Sequence, residues 1–308
     1  MNLLALTEPT AGALATALEL FERQFRYPLG VSGHFRIFHG AGYLPFFQAM
    51  GPATLWLAEW KGNVLGTLVS VPRCLEVNGG VESLNAHYIC DLKIGPGPGR
   101  GRVLAALMSG VRTGIETSGG RAAFGIVMSG TEPQPGDYTG RLGIPRFESL
   151  GQILVLRISP GSGGWAKLCA ALPGQPERPN VRVTGGFSSL RSLMEPVTLG
   201  FDGTGASATL EDTRRGKRLW LDDGTEMLSG HLSGFRFCDP KAGSRVIRQG
   251  LGLAVSAGLP AVFVSVPALA ATPLLENLAD LHVGVSPAEV YGCGLPCGMD
   301  WWVDTAEI

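Results

Sequence analysis

The residues best suited to chemistry lie in one segment, Asp91-Leu92-Lys93-Ile94-Gly95-Pro96-Gly97-Pro98-Gly99-Arg100-Gly101-Arg102-Val103-Leu104-Ala105. A strand pattern runs into a glycine- and proline-rich loop, and the loop opens a helix pattern. The first N–H groups of a helix have no intrahelical partner, and the aligned peptide dipoles put partial positive charge there. Glycines let an anion come close to that backbone, and Arg100 and Arg102 add two full charges. The combination suits a phosphate or pyrophosphate. The loop lacks the Gly-Lys-Ser/Thr of a P-loop, and it is not a dinucleotide fingerprint in a βαβ unit near the N-terminus.

Other candidates surround it. Period-two alternation puts His87 and Asp91 on one face of the incoming strand and Tyr88 on the other, and a proton acceptor could come from any of them. For Asp91 a structural ion pair with an arginine is the competing reading. Tyr138 stands in a predicted helical turn, where a half-buried tyrosine with a bonded hydroxyl is the ordinary case. Glu59 reads as a solvated strand end, and His34 and His39 have no ligand-like spacing. Of the six cysteines only Cys293 and Cys297 are close together. A structural zinc site needs a second pair, so no metal is expected.

The elements that must position these groups follow from periodicity. Apolar residues at helical spacing predict helices over 10–24, 103–117, 245–257 and 272–281. Residues 55–60 and 64–71 flank Lys61-Gly62-Asn63 and predict a hairpin. Further strands are expected at 83–94, 122–128, 153–158, 206–210, 218–221, 226–237 and 259–266. Ser159 to Gly164 and Pro173 to Asn180 read as linkers around a short helix at 165–172. The expected organisation is a first domain over 1–158, a linker over 159–180 and a second domain over 181–308. The second half repeats the first faintly: Arg102-Val103-Leu104 matches Arg245-Val246-Ile247, and Ala122-Ala123-Phe124 matches Ala261-Val262-Phe263.

Composition bounds the function. With 308 residues, 45% apolar and 17% charged, the chain can bury a large core and is not disordered. Its net charge is −1 and neither half is strongly basic, which argues against nucleic acid as a partner. The uncharged run between Arg248 and Glu276 is broken by Gly258-Leu259-Pro260, Pro267 and Pro273, so it is not a membrane span. The N-terminus lacks a signal-peptide pattern, and a cytoplasmic protein is expected.

Arg100-Gly101-Arg102-Val103-Leu104-Ala105 resembles the Arg/Gln-x-x-Gly-x-Gly/Ala signature of the GNAT acetyltransferase superfamily, with Val103 where that signature carries a glycine. The hairpin at 57–66 and the segment 138–144 resemble the family's neighbouring elements. The resemblance covers about residues 1–158 and, more weakly, 181–308. It implies an α/β (α+β) fold of two GNAT-like domains, each a mixed, mostly antiparallel twisted sheet flanked by helices, the second domain degenerate. It implies acetyl-CoA as co-substrate, with the pantetheine arm paired to backbone near Leu92 and Ile94. The amides of Gly101, Arg102, Val103 and Leu104, beside Arg100, would hold the pyrophosphate. An amine of a small molecule or peptide would attack the thioester directly, with Asp91 as base and Tyr138 as the acid for the thiolate. The protein would act as a monomer or homodimer. A catalytically silent acyl-CoA-binding sensor or scaffold is the alternative.

Overall fold

A computed structural model of the chain describes residues 1–29, 33–40, 42–141, 143–161, 179–200 and 205–308. The predicted helix at 165–172, most of the two predicted linkers and Leu142 lie outside them. The first half runs β1 (Asn2–Leu6), α1 (Gly12–Glu22), β2 (Tyr27–Leu29), β3 (Gly33–Phe38), α2 (Leu44–Gln48), β4 (Thr54–Trp60), β5 (Asn63–Val77), β6 (Glu82–Ile94), α3 (Arg100–Thr117), β7 (Ala123–Met128), α4 (Pro135–Tyr138) and β8 (Glu148–Ser159). The second runs β9 (Asn180–Val183), β10 (Val197–Leu199), β11 (Ala206–Glu211), β12 (Arg218–Leu221), β13 (Gly230–Phe237), α5 (Pro240–Ser256), β14 (Val262–Pro267), α6 (Ala268–Glu276), β15 (His282–Cys293) and β16 (Asp300–Trp302).

The two expected sheets join into one. Its order is β1-β4-β5-β6-β7-β15-β8-β14-β13-β11-β10, with β9 pairing both β16 and β5. The halves exchange a strand at the centre: β15 pairs β7 of the first half, and β8 pairs β14 of the second. β15 and β8 also pair each other over nearly their whole length, His282 opposite Ser159 and Gly292 opposite Glu148. A separate three-stranded sheet, β12-β3-β2, again joins the halves.

Each half contains one short parallel pair flanking a helix in this largely antiparallel sheet, and the second half adds the parallel pair β9–β16. β6 and β7 are in register only at His87/Ala123 and Tyr88/Phe124, and β13 and β14 only at Gly230/Val262 and His231/Phe263. The faint repeat of Ala122-Ala123-Phe124 and Ala261-Val262-Phe263 therefore falls on equivalent pairing positions. Helix α3 covers one face, burying Val103, Leu107, Met108 and Val111. Gly110 and Gly114 let it settle on Trp56, since a Cβ at either would lie 2.7 Å from the indole. The opposite face carries the larger core around Leu44, Phe46, Phe47, Tyr88 and Trp301.

Candidate active site

β6 and β7 separate after Tyr88 and Phe124. Their pairing is confined to His87/Ala123 and Tyr88/Phe124, although β6 continues to Ile94 and β7 to Met128. The result is a wedge whose walls carry unpaired backbone groups, at the end of β6 that leads to the Gly95–Gly99 loop. Leu92 and Ile94 lie on its β6 wall.

The loop ends at Gly99, whose φ of +87° is left-handed and thus natural for glycine. No side chain caps α3, and its first turn holds no acid. A Cβ at Gly97, Gly99 or Gly101 would meet nothing within 4 Å, so the amide-rich turn is open to an incoming group. Arg100, Gly101 and Arg102 are exposed, while Val103 is buried against the sheet. Gly66 makes room for Val103: a Cβ there would lie 2.7 Å from Val103 Cγ1.

The second half offers the contrast. The carboxylate of Asp239 caps α5, accepting from the N–H groups of Lys241 and Ala242 at 3.2 and 3.1 Å. The wedge between β13 and β14 is filled by the chain itself. Asp304 Oδ1 accepts from the Gly234 N–H at 2.6 Å, Thr305 Oγ1 lies 3.0 Å from His231 Nδ1, and Ser265 donates to the Val303 carbonyl. Both features that are open in the first half are occupied by protein atoms in the second.

Asp91 is placed differently from what alternation predicts. It has φ +54° and sits in a β-bulge, where the register moves from Val69/Cys90 to Thr67/Lys93. A bulge inserts one residue and reverses the phase of the strand. His87 therefore faces the end of α3, with Nε2 3.1 Å from Ser118 Oγ, while Asp91 turns to the opposite face. There its Oδ1 accepts from Lys93 and its Oδ2 from the Tyr43 hydroxyl. The expected arginine partner of Asp91 is in fact this lysine. Lys93 also donates to Glu22 Oε1 at 3.2 Å, and the same oxygen lies 2.6 Å from His39 Nδ1. Sequence reasoning missed Glu22, His39, Tyr43 and Lys93 as one group because they come from α1, the loop before α2, and β6. The signal that was present is Lys93 two residues from Asp91, the one acid and one lysine near the end of the strand.

The cluster is an ionic core. Burial opposes ionisation of Glu22, but His39 and Lys93 override it and bring the carboxyl down to about 2. Burial likewise opposes the charge on Lys93, yet Asp91, Tyr43, Tyr27 and Glu22 hold its pKa well above the usual lysine range. Glu22, His39 and Asp91 present ligand atoms close enough together for a cation. The Lys93 ammonium, bonded to both carboxylates, already supplies that positive charge.

Tyr138 closes α4 and is half-buried. Burial, with Asp137 and Tyr291 adding negative charge nearby, raises its hydroxyl to about 12. The groups that act on it belong to α4 and β15, whereas those that engage Asp91 are Lys93 of β6 and Tyr43. Cys90, beside the bulge, has its thiol pushed well above the normal range by burial and by Asp91.

No family model matches the chain, and no curated protein matches its sequence. Its fold does match solved structures. N-myristoyltransferase of Saccharomyces cerevisiae with bound myristoyl-CoA and inhibitors aligns at TM-score 0.57 and 9% identity, over 94% of this chain and 80% of that one. Two other structures of the yeast enzyme with bound myristoyl-CoA align at TM-scores 0.55 and 0.53, with 9% and 8% identity. They cover 94% of this chain, and 82% and 78% of theirs. With its splayed parallel strands, the bulge and the uncapped helix between them, the chain shares the fold of these N-myristoyltransferase structures, the GNAT-like fold that the sequence led one to expect.

Proposed function

We propose that this protein is an acyltransferase that moves an acyl group from acyl-CoA to an amine. One observation carries the reading: the open wedge and the uncapped α3 lie together in the first half, while their second-half counterparts are filled by the chain's own residues. The pyrophosphate would rest on the amides of Gly101 to Leu104 beside Arg100 and Arg102. The pantetheine amides would pair with β6 backbone from Leu92 to Ile94, as an added strand. The second half binds no CoA in this reading, so one acyl-CoA is held per chain.

The reaction is direct. The amine nitrogen attacks the thioester carbon, the C–N bond forms, and the C–S bond breaks after a tetrahedral intermediate whose oxyanion is held by backbone N–H. Tyr138, protonated at neutral pH because its pKa is about 12, gives its proton to the departing thiolate and regains one, through solvent, as the attacking nitrogen sheds its own. Asp91 is read as a positioning residue, because both its oxygens are engaged, by Lys93 and Tyr43. It holds the bulge that shapes the β6 wall. Acetyl-CoA is the simplest donor. The yeast enzyme binds myristoyl-CoA, which brings longer chains into the range to be tested.

The test is CoA thiol release from acetyl-, decanoyl- and myristoyl-CoA against a panel of small amines and peptides. Release that depends on an amine, reduced roughly 10²-fold or more in Tyr138→Phe with acyl-CoA binding unchanged, supports the reading. Tight acyl-CoA binding with no release for any amine selects the silent binding protein instead, a reading favoured by the engaged oxygens of Asp91. Absence of acyl-CoA binding refutes both.

A further inference from the structure

We infer that a second site, under the C-terminal half of α3, touching the closed end of the wedge at Ile89 and remote from the Gly95–Leu104 segment, binds a medium-chain monocarboxylate. A cavity of about 470 Å³ lies there, at the end of α3 remote from the Gly95–Gly99 loop. Its origin is in the sequence. Gly110 and Gly114 let α3 lean onto Trp56 of β4, which draws the helix away from β7 and β15. On that vacated side the floor is made of small residues, Ala122, Ala123 and Cys293, which do not fill the gap. Met108, Val111 and Phe147 wall the space. It is open to solvent beside Arg112, Glu116 and Arg121, so it is a cleft next to the helix and not a sealed void. It falls within the range of small-molecule sites.

The mouth says what the occupant carries. Arg112 donates to the Gly143 carbonyl at 2.7 Å and lies 3.8 Å from Glu116, so its charge is partly used. Arg121, on the same rim, has no hydrogen bond or ion pair among the described residues. An apolar body with one negative head complements this arrangement, the head on Arg121 and the tail against Val111, Ile115 and Phe147. The volume suits a tail of about ten carbons. This inference does not depend on the acyl-CoA reading, because the cavity shares no residue with the Gly95–Leu104 segment.

The experiment is calorimetric titration of the full chain with sodium decanoate, with butyrate and decanol as controls for tail and charge. One saturable site per chain is expected, with each control at least about tenfold weaker. Arg121→Glu, a surface change that leaves the fold intact, should weaken decanoate about tenfold or more. Ile115→Trp fills the space from the helix side and should abolish binding, with unchanged circular dichroism as its folding control. Acetyl-CoA should not compete. No saturable binding, equal binding by both variants, or displacement by acetyl-CoA would each overturn the proposal.

Discussion

Arg100 and Arg102 stand out as a candidate anion site because their chemistry is local: glycines, two cations and a helix start lie within eight residues of sequence. Asp91 was legible as important but not in its orientation. A single residue with φ +54° reverses the strand phase, and nothing in a period-two count reports a bulge. Its partners lie far along the chain, Tyr43 at 48 positions' distance. The Glu22 cluster gives a pH prediction. Glu22 is depressed from 4.5 to about 2 in the folded state, so the unfolded chain binds the extra proton between those values. Its stabilisation is fully present above pH 4.5 and lost as pH falls towards 2. Glu22→Gln should therefore lower stability at pH 7 and flatten its pH dependence between about 4.5 and 2 in denaturant titrations. A slope like that of the unchanged protein would contradict the ionic reading.

At the scale of elements, long periodic segments were the readable ones. The hairpin β4–β5, strand β6, helix α3 and strand β7 stand close to where spacing predicts them. Helix α5 begins at Pro240 rather than 245, because Asp239 caps it and Pro at the first helical position is compatible with a start. Helix α6 spans Ala268–Glu276 and carries Pro273 inside it, so the predicted start at 272 was late. Strands β1, β2, β3, β9, β10, β15 and β16 were missed. β15 contains Gly284, Ser286, Pro287 and Gly292, residues that argue against a strand until two neighbours pair it on both sides. The seat of α3 is testable here. Gly110→Val would drive a side chain into Trp56, with its Cβ already 2.7 Å from the ring. A loss of about 1–3 kcal/mol is expected from urea melts, and Trp56→Ala in the same chain should recover part of it.

The whole molecule could not be read from the halves. A repeat was visible, and it suggested two sheets side by side. The exchange of β8 and β15 is a contact between residues more than a hundred positions apart, and local patterns carry no information about it. The exchange also makes each half incomplete. Residues 1–158 alone would lack β15 and leave β7 with an open edge, and such edges promote aggregation. That fragment is expected to be insoluble or molten, while the full chain unfolds in one transition seen alike by circular dichroism and tryptophan fluorescence. Two separated transitions would contradict it. Among the described residues no helix is long and apolar enough to cross a membrane.

The central claim is that the first turn of α3 holds the pyrophosphate of an acyl-CoA. Gly101→Asp tests it most directly. A Cβ at Gly101 meets nothing within 4 Å, and an acid in the first turn of a helix favours the helix dipole, so the variant should fold with equal or slightly higher thermal stability. The same carboxylate would repel a pyrophosphate. Titrating acetyl- and myristoyl-CoA into both proteins by calorimetry should give binding to the unchanged chain and a loss of about tenfold or more in the variant. Equal affinity in a folded Gly101→Asp variant, or no binding to the unchanged chain, would contradict it.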